Sequence, residues 1–400
     1  MTDPSPHSPA TRCVWGGQTA PDAHGATVQP VYHGVTFGYD DLDEWSAVGT
    51  GERQGHIYSR NTNPTIETFE QTMRDLDGAE ASTSFATGMA AISNTLFTFL
   101  SPGSRVVSIK DTYGGTNKLF VEFLPRFGVD VTLCETHDHE QIERETAKGC
   151  DVLYLETPTN PTLKVLDIRR LAKAGRDAGA TVIIDNTFAT PINQRPLELG
   201  ANLVLHSATK FLGGHSDAMG GIVSGDAQRI RDLYHFREIN GASLDPMSAY
   251  LLTRGLRTLA LRVQRQNQSA QAIAEWLIDQ PEIEAVYYPG LNDHPNHSIA
   301  KDQMSGFGGV LSFSLAGGME ALRAVVPALK LAHRAASLGS VGTLAGPPAM
   351  TSHVELSAQE RADAGIPESL VRYSVGIEDP KDLIADLKAA FAHIPEPVKT

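Results

Sequence analysis

Cysteine, long apolar runs and a secretory leader are scarce or missing in this sequence. Only three of its 400 residues are cysteines (Cys13, Cys134 and Cys150), and their irregular spacing excludes a disulfide framework or a thiolate zinc site. No apolar run approaches the roughly 20 residues that cross a bilayer. Residues 1–10 are polar and proline-rich, without the basic and apolar segments of a secretory signal. We therefore expect a soluble protein of the cytoplasm.

Positive charge is also in short supply. The 33 Lys and Arg residues face 47 Asp and Glu residues, which gives a formal net charge of −14. Nucleic-acid binding is driven by clustered positive charge, so this balance argues against a nucleic-acid partner. The length and the 41% hydrophobic content allow a large core and two or three domains.

The chain divides into three parts by its patterning. Residues 1–55 carry short apolar pieces broken by Gly and Pro, which is typical of an N-terminal arm and lid rather than a domain. Residues 56–245 alternate short β-branched runs with amphipathic ones, which predicts an α/β domain around a mostly parallel sheet. The strands are expected at 105–109, 129–133, 152–155, 181–184, 203–205 and 221–224, and helices at 65–76, 90–100, 117–127 and 168–179.

A different pattern begins near residue 246. A long helical stretch reaches residue 277, and later runs at 283–288, 309–315 and 370–375 resemble strands. Helices are expected at 318–329 and 379–392. Residues 246–400 are therefore predicted to form a smaller α+β domain.

Polar residues that carry chemistry stand at two predicted strand ends. Asp185 follows one strand, and Ser207, Thr209 and Lys210 follow the next, offering two hydroxyls for a phosphate and an amine for a carbonyl. Upstream, the turn that contains Gly88 opens a helix, an arrangement that binds anions. Each feature alone has an ordinary explanation, such as a surface lysine or a helix-capping aspartate. Together they favour a binding site.

Eight segments resemble, in family order, the Cys/Met-metabolism family of pyridoxal 5′-phosphate (PLP) enzymes, which includes cystathionine γ-synthases and γ-lyases, methionine γ-lyases and homoserine-ester sulfhydrylases. The segments are 58–65, 88–91, 111–116, 156–161, 185–188, 207–210, 337–339 and 372–376. The resemblance implies PLP as cofactor and a PLP-dependent transferase-like α/β fold, the aspartate aminotransferase fold type I. That fold has a mostly parallel sheet in the large domain and a smaller α+β C-terminal domain.

The resemblance also implies a role for each matching residue at the cofactor. Lys210 is implied to form a Schiff base with PLP and then to shuttle protons on the substrate. Asp185 is implied to keep the pyridine nitrogen protonated. The remaining implied cofactor contacts are Gly88, Met89, Thr187, Ser207 and Thr209, of which all but Thr187 would hold the phosphate.

Other matching residues are implied to serve the substrate and a second subunit. Tyr113 is implied to stack on the ring and to exchange a proton with the departing or entering group. Arg372 is implied to clamp the substrate α-carboxylate, with help from Asn160 and Ser337. Asn160 is also implied to contact the ring hydroxyl. Tyr58 and Arg60 resemble the pair that reaches the phosphate of a neighbouring subunit, which implies a homodimer or homotetramer with shared active sites.

The resemblance implies γ-elimination or γ-replacement on a γ-substituted L-amino acid, as in trans-sulfuration. Ala336 stands where cystathionine-processing members often carry glutamate, so strict cystathionine specificity is not expected. Gly115 stands where methionine γ-lyases typically carry cysteine. Candidate leaving groups are a homoserine ester, a thiol, and the oxygen-linked guanidine of canavanine. Elimination and replacement stay open at this point.

Two alternative functions remain. One is a β-eliminating carbon–sulfur lyase of the cystathionine β-lyase type, which would release pyruvate instead of 2-oxobutyrate. The other is a non-catalytic PLP-binding regulatory protein, against which Lys210, Tyr113 and Arg372 together argue, since cofactor retention needs neither of the last two.

Two groups of charged residues invite further hypotheses. The acidic segment of the arm is hypothesised to receive a cationic substrate group in a neighbouring site, or else to be a solvated loop; it comprises Asp40, Asp41, Asp43 and Glu44. The histidine-rich segments 137–139 and 294–297 are interpreted as solvated loops, because no third ligand lies nearby in sequence and the implied chemistry needs no metal.

Overall fold

The computed structural model describes residues 7–17, 25–354 and 357–395. Seven strands form its larger sheet: β1 (Ala81–Phe85), β2 (Arg105–Ile109), β3 (Asp130–Cys134), β4 (Val152–Glu156), β5 (Thr181–Asp185), β6 (Leu203–Ser207) and β7 (Gly221–Gly225). Their order across the sheet is β1-β7-β6-β5-β4-β2-β3, and β7 alone runs antiparallel to both of its neighbours. The predicted mostly parallel sheet is confirmed.

Apolar strands buried on both faces explain why this sheet was readable from the sequence. All five residues of β4 are buried, as are four of the five in β5 and in β6. The strand β1 was not predicted, because its sequence Ala-Ser-Thr-Ser-Phe is mostly polar. Its Ser84 hydroxyl donates to the Glu70 carboxylate at 2.8 Å, so hydrogen bonds to a packed helix replace apolar side chains there.

Fifteen helices are present in the described ranges: α1 (Pro9–Trp15), α2 (Leu42–Gly49), α3 (Pro64–Asp77), α4 (Gly88–Phe99), α5 (Gly114–Lys118), α6 (His139–Ala147), α7 (Ile168–Asp177), α8 (Thr190–Asn193), α9 (Ala227–Asn240), α10 (Pro246–Leu256), α11 (Leu259–Ile278), α12 (His297–Gln303), α13 (Gly318–Ala328), α14 (Ala358–Asp363) and α15 (Pro380–Phe391). No helix in these ranges is long and apolar enough to cross a membrane.

Two predicted helices are interrupted. The stretch 117–127 begins in α5 and continues as a π-helical turn and a 3-10 turn, because Pro125 has no N–H for a regular helix. The stretch from residue 247 to 277 breaks between α10 and α11. At the break the buried guanidinium of Arg262 donates to the carbonyls of Gly255 and Phe211, each at 2.8 Å.

A second sheet of five strands lies in the C-terminal part: β8 (Ile283–Tyr287), β9 (Val310–Leu315), β10 (His333–Arg334), β11 (Leu344–Gly346) and β12 (Leu370–Ser374). Its order is β10-β11-β12-β9-β8, and only β10 and β11 are parallel. The helices α11, α13 and α15 pack against it around a core that contains Leu277, Phe313 and Leu387. This is the predicted α+β arrangement.

The N-terminal segment contains helices as well as extended chain. The first helix, α1, packs against α3 and α11, where the Thr72 hydroxyl donates to the carbonyl of Gly16 at 2.7 Å. Further on, Asp41 caps α2 by accepting from the backbone N–H groups of Asp43 and Glu44. Part of the predicted arm, residues 1–6 and 18–24, lies outside the described residues. The boundaries at 55 and 245 stay predictions.

Candidate active site

A cavity of about 350 Å³ opens at the carboxyl ends of β4, β5 and β6, beside the first turn of α4. All predicted site residues except Tyr58 and Arg60 line it: Gly88, Met89, Tyr113, Asn160, Asp185, Thr187, Ser207, Thr209, Lys210, Ser337 and Arg372. Residues that the sequence did not single out as site residues complete the lining: Thr87, Ile92, Glu156, Phe188, Ala336, Leu338, Thr351 and Ser352. Residues more than 200 positions apart are thus brought together.

The carboxylate of Asp185 is held by three donors. The backbone N–H and the hydroxyl of Thr187 donate to its Oδ1 at 3.0 and 2.6 Å, and the Tyr154 hydroxyl donates to its Oδ2 at 3.2 Å. Burial raises the pKa of Asp185, while the Thr187 donors oppose that rise. A buried carboxylate so arranged is a fitting partner for a cationic ring nitrogen.

A second carboxyl group, Glu156, lies beside Asp185. The two residues are direct neighbours across β4 and β5, and Glu156 is only 4% exposed. Its Oε2 accepts a hydrogen bond from the backbone N–H of Tyr113 at 2.8 Å. The signal for it was available, because Glu156 ends a strand in the same way as Asp185.

The amine of Lys210 points to the C-terminal domain. Its Nζ donates to the Ser337 hydroxyl at 2.8 Å. Burial, with a smaller contribution from the Arg372 cation, lowers the pKa of Lys210 to about 8. A substantial neutral fraction near physiological pH makes this amine a competent nucleophile and base. The loop that carries it is closed at its base, where the Thr209 hydroxyl accepts from the backbone N–H of Gly220 at 3.1 Å.

The first turn of α4 and the end of β6 form an anion cradle. Thr87 caps α4 by accepting from the backbone N–H of Ala90 at 2.9 Å, which leaves the N–H groups of Gly88 and Met89 to bind a ligand. A Cβ on Gly88 would lie 2.7 Å from the Cβ of Ser207, so only glycine allows this approach. The hydroxyls of Ser207 and Thr209 line the same cavity.

Arg372 is a buried cation with neutral acceptors. It is 6% exposed, and its two terminal nitrogens donate to Asn160 Oδ1 and to the carbonyl of Ser337, both at 2.9 Å. Ser337 has a φ of 98°, a left-handed conformation that is unusual for serine. This turn directs its carbonyl to Arg372 while its hydroxyl meets Lys210. In the described part of the chain no carboxylate pairs with Arg372, so the site suits an incoming carboxylate.

Tyr113 precedes α5 at the edge of the cavity, and the residue is 45% exposed. Gly115 makes room for the ring: a Cβ there would lie 2.9 Å from Cε1 of Tyr113 and 2.8 Å from Sδ of Met89. The glycine that departs from the methionine γ-lyase pattern therefore has a packing role in this chain.

Tyr58 and Arg60 lie together outside the cavity lining of their own chain. The Arg60 guanidinium is 5.1 Å from the centroid of the Tyr58 ring, whose residue is 37% exposed. Their predicted contact with a neighbouring subunit's phosphate stays a prediction. In the acidic segment, Asp41 is the cap of α2 and Glu44 pairs with Arg53 at 3.0 Å. Two of its four acids therefore have local roles.

The histidine-rich segments have structural partners. His139 begins α6, and its Nε2 accepts from the backbone N–H of Asp167 at 3.4 Å. His297 begins α12, and its Nδ1 bonds the carbonyl of Pro289 at 2.8 Å. Across the described ranges, no group of three His, Cys, Asp or Glu side chains is placed to hold a metal.

The residues of the cavity fit PLP. A buried carboxylate, an amine of lowered pKa and a glycine-lined anion cradle match its ring nitrogen, aldehyde and phosphate in chemical type. Fold and site together define a PLP-dependent enzyme of the α/β transferase-like class. The model of the family described as Cys/Met metabolism PLP-dependent enzyme matches residues 10–392. The chain belongs to this family.

Individual relatives also place the chain in this family. An L-methionine gamma-lyase of Pseudomonas putida is 44% identical over 385 residues, which cover 96% of each chain. A cystathionine gamma-lyase of Bacillus subtilis is 40% identical over 385 residues, covering 96% of this chain and 99% of the relative. The crystal structure of a cystathionine gamma synthase from Xanthomonas oryzae superposes with a TM-score of 0.93 at 36% identity, covering 98% of this chain and 99% of that one.

These findings confirm the predicted fold, the PLP cofactor and the enzyme class. The protein acts on a small amino acid at its γ-carbon, by γ-elimination or γ-replacement. The β-eliminating and the non-catalytic alternatives are not favoured.

Proposed function

We propose that the protein is a γ-lyase for L-amino acids with a neutral γ-substituent, such as the thioether of methionine. One observation carries this choice: of the four Asp, Glu, Lys and Arg residues in the lining, Lys210, Asp185 and Arg372 belong to the cofactor and carboxylate sites. The fourth, Glu156, is buried beside Asp185 and accepts from the Tyr113 backbone. The other lining residues in the described ranges are neutral, Ala336 among them. A cationic γ-substituent would therefore find no anion to pair with in this chain's cavity.

The chain's own residues would divide the work as follows. PLP, when bound, supplies an electron-accepting ring conjugated to the substrate nitrogen. Asp185 balances the charge of the ring nitrogen, and Thr187 holds Asp185 in place. Arg372 orients the α-carboxylate so that the Cα–H and Cβ–H bonds face the Lys210 amine, which takes up and returns these protons.

The phenol of Tyr113 would deliver a proton to the departing γ-group. Half-exposed at the cavity edge, it is placed to meet both the substrate and its leaving group. Gly88, Met89, Ser207 and Thr209 would hold the phosphate and so keep the ring in register with these groups.

Substrate profiling tests the proposal. We expect L-methionine to yield 2-oxobutyrate and ammonia with a higher kcat/KM than L-cystathionine or L-canavanine, whose γ-substituents are charged. Preference for a cationic substrate would refute the proposal. It would instead favour the hypothesis that Asp40, Asp41, Asp43 and Glu44 enter a neighbouring site, which their joint neutralisation would test. Added thiols distinguish γ-replacement, and pyruvate would reveal β-elimination.

We also propose that active sites are shared between subunits of a homodimer or homotetramer. The separation of Tyr58 and Arg60 from their own cavity lining supports this. If sites are shared, the variants Lys210→Ala and Arg60→Ala should each be inactive alone. Unfolding them, mixing them and refolding the mixture should restore activity, because a hybrid oligomer contains one site with both Lys210 and Arg60 intact. A mixture as inactive as its components would contradict shared sites.

The cytoplasmic location stays a proposal, supported by three buried, unpaired thiols.

A further inference from the structure

Glu156 is a buried acid that the proposed chemistry leaves without a task. It ends β4, it is 4% exposed, and it lines the cavity. A carboxyl group removed from water at this depth needs hydrogen bonds to be tolerated. The backbone N–H of Tyr113 supplies one, at 2.8 Å from Glu156 Oε2.

The proton of the carboxyl pair belongs on Glu156. Glu156 and Asp185 are adjacent across two parallel strands, and two buried like charges at such a spacing oppose each other's ionisation. Asp185 receives two hydroxyl donors and a backbone N–H, from Thr187 and Tyr154, which stabilise its charge. Glu156 accepts from backbone N–H groups only, and burial raises its pKa well above the ordinary value. Glu156 is therefore the neutral member.

The hydrogen bond that Glu156 accepts holds the backbone of Tyr113 on the side that faces β4. Tyr113 precedes the helical stretch that begins with α5; its carbonyl accepts from the backbone N–H of Asn117 at 2.9 Å, but its side chain makes no cap. The residue is 45% exposed, so packing alone restrains the ring weakly. The hydrogen bond to Glu156 ties the Tyr113 backbone to the rigid end of β4, whose residues are all buried.

We propose that Glu156 is a positioning residue: its carboxyl group holds the backbone of Tyr113 and thereby sets the phenol over the cavity. This inference rests on the proposed role of Tyr113 as proton donor. The positioning role also gives a reason for a second carboxyl group beside Asp185. As a neutral acid, Glu156 can accept the Tyr113 hydrogen bond without competing with Asp185 for the cationic ring nitrogen.

Three single variants and one double variant test the inference in the holoenzyme. Glu156→Ala removes the acceptor, and misplacement of a catalytic group is expected to lower kcat by about 10- to 100-fold with little change in KM. Glu156→Gln keeps a neutral oxygen acceptor and should recover most of that loss. Tyr113→Phe removes the phenol but keeps the backbone N–H. In that background Glu156→Ala should lower kcat no further, because both changes act through the same group.

Hydrogen exchange provides a readout that does not depend on turnover. In the holoenzyme, the peptide spanning residues 111–118 should exchange faster in Glu156→Ala and at the wild-type rate in Glu156→Gln. The pH dependence of the visible cofactor band should be the same in Glu156→Gln as in wild type, because no charge has been removed.

Each contrary result has a distinct meaning. If Glu156→Gln is as impaired as Glu156→Ala, or if the two losses multiply in the Tyr113→Phe background, the positioning role is wrong. Unchanged kcat in Glu156→Ala refutes it as well. If Tyr113→Phe itself retains full activity, the proposed proton transfer by Tyr113 is what fails, whereas the exchange result still reports on the Glu156 hydrogen bond.

Discussion

Replacing Arg372 by methionine removes a buried cation whose partners in the free enzyme are both neutral. The guanidinium donates to Asn160 Oδ1 and the Ser337 carbonyl, and no carboxylate of the described chain accepts from it. We expect Arg372→Met to lose most of the enzyme's affinity for the substrate carboxylate. Without substrate, the variant should resist unfolding about as well as the wild type.

The magnitudes follow from the surroundings of Arg372. Burial lowers the pKa of Arg372 from 12.5 to about 10, which corresponds to about 3 kcal/mol of cost for keeping the charge inside. Losing two hydrogen bonds from a charged donor costs about 3 kcal/mol. The two effects nearly cancel, so the free energy of unfolding should change little. Two charge-assisted bonds to substrate are together worth about 3–5 kcal/mol, so kcat/KM should fall by about 10²–10⁴-fold.

The assay pairs steady-state kinetics with thermal unfolding of the holoenzyme at one scan rate. A non-reacting amino acid, L-norleucine, should raise the unfolding midpoint of the wild type and leave that of Arg372→Met unchanged. Arg372→Lys is the matched control, because it keeps the charge without the planar fork; it should lose affinity without gaining stability. An Arg372→Met enzyme with unchanged kcat/KM, or with a midpoint well below the wild type, would refute the reasoning.

Three further predictions concern the cofactor site. Uptake of PLP by the apoprotein should accelerate with pH around a midpoint of about 8, because only the unprotonated Lys210 amine is nucleophilic; a midpoint near the ordinary value of 10.5 would contradict this. Gly115→Ala brings a Cβ within 2.8 Å of the Met89 sulfur and 2.9 Å of the Tyr113 ring, so kcat should fall, and Met89→Ala in the same chain should recover only part of it. Gly88→Ala forces the cradle away from Ser207, so equilibrium dialysis should show PLP binding weakened by at least about tenfold, and undiminished binding would exclude the cradle.

The strands could be predicted from the sequence where burial on both faces requires a continuous apolar run. The six strands predicted in the α/β domain and the three predicted in the C-terminal part are all present, each within a residue or two of its prediction, whereas β1, β10 and β11 were not predicted. The strand Ala81–Phe85 escaped because hydrogen bonds between strands and to Glu70 stabilise a polar sequence there. The break between α10 and α11 depends on the distant loop that Arg262 contacts, which no local pattern contains.

The residues of the candidate site also fall into those that the sequence indicated and those that only the tertiary structure brings together. Lys210 and Asp185 stand at the ends of neighbouring predicted strands, and that combination indicated a role at the sheet edge. Arg372 and Ser337 join them only through the docking of the second sheet, so their sequence context carries no signal without the family resemblance. The position of Glu156 at a strand end was visible in the sequence, but its place beside Asp185 was not. That place depends on which strand lies beside β4, and strand order is a property of topology rather than of local sequence.

The reversal of β7 has a consequence for protein engineering. Because β7 returns along β6 from the same edge, the chain between residues 208 and 220 leaves and re-enters the sheet at the cavity, and Thr209 bonds Gly220 across its base. Added residues there would loosen the tether of the reactive amine. Insertions, reporter tags or new termini belong at the opposite edge, for example around Gly149 or Gly179, where a Cβ would meet nothing within 4 Å.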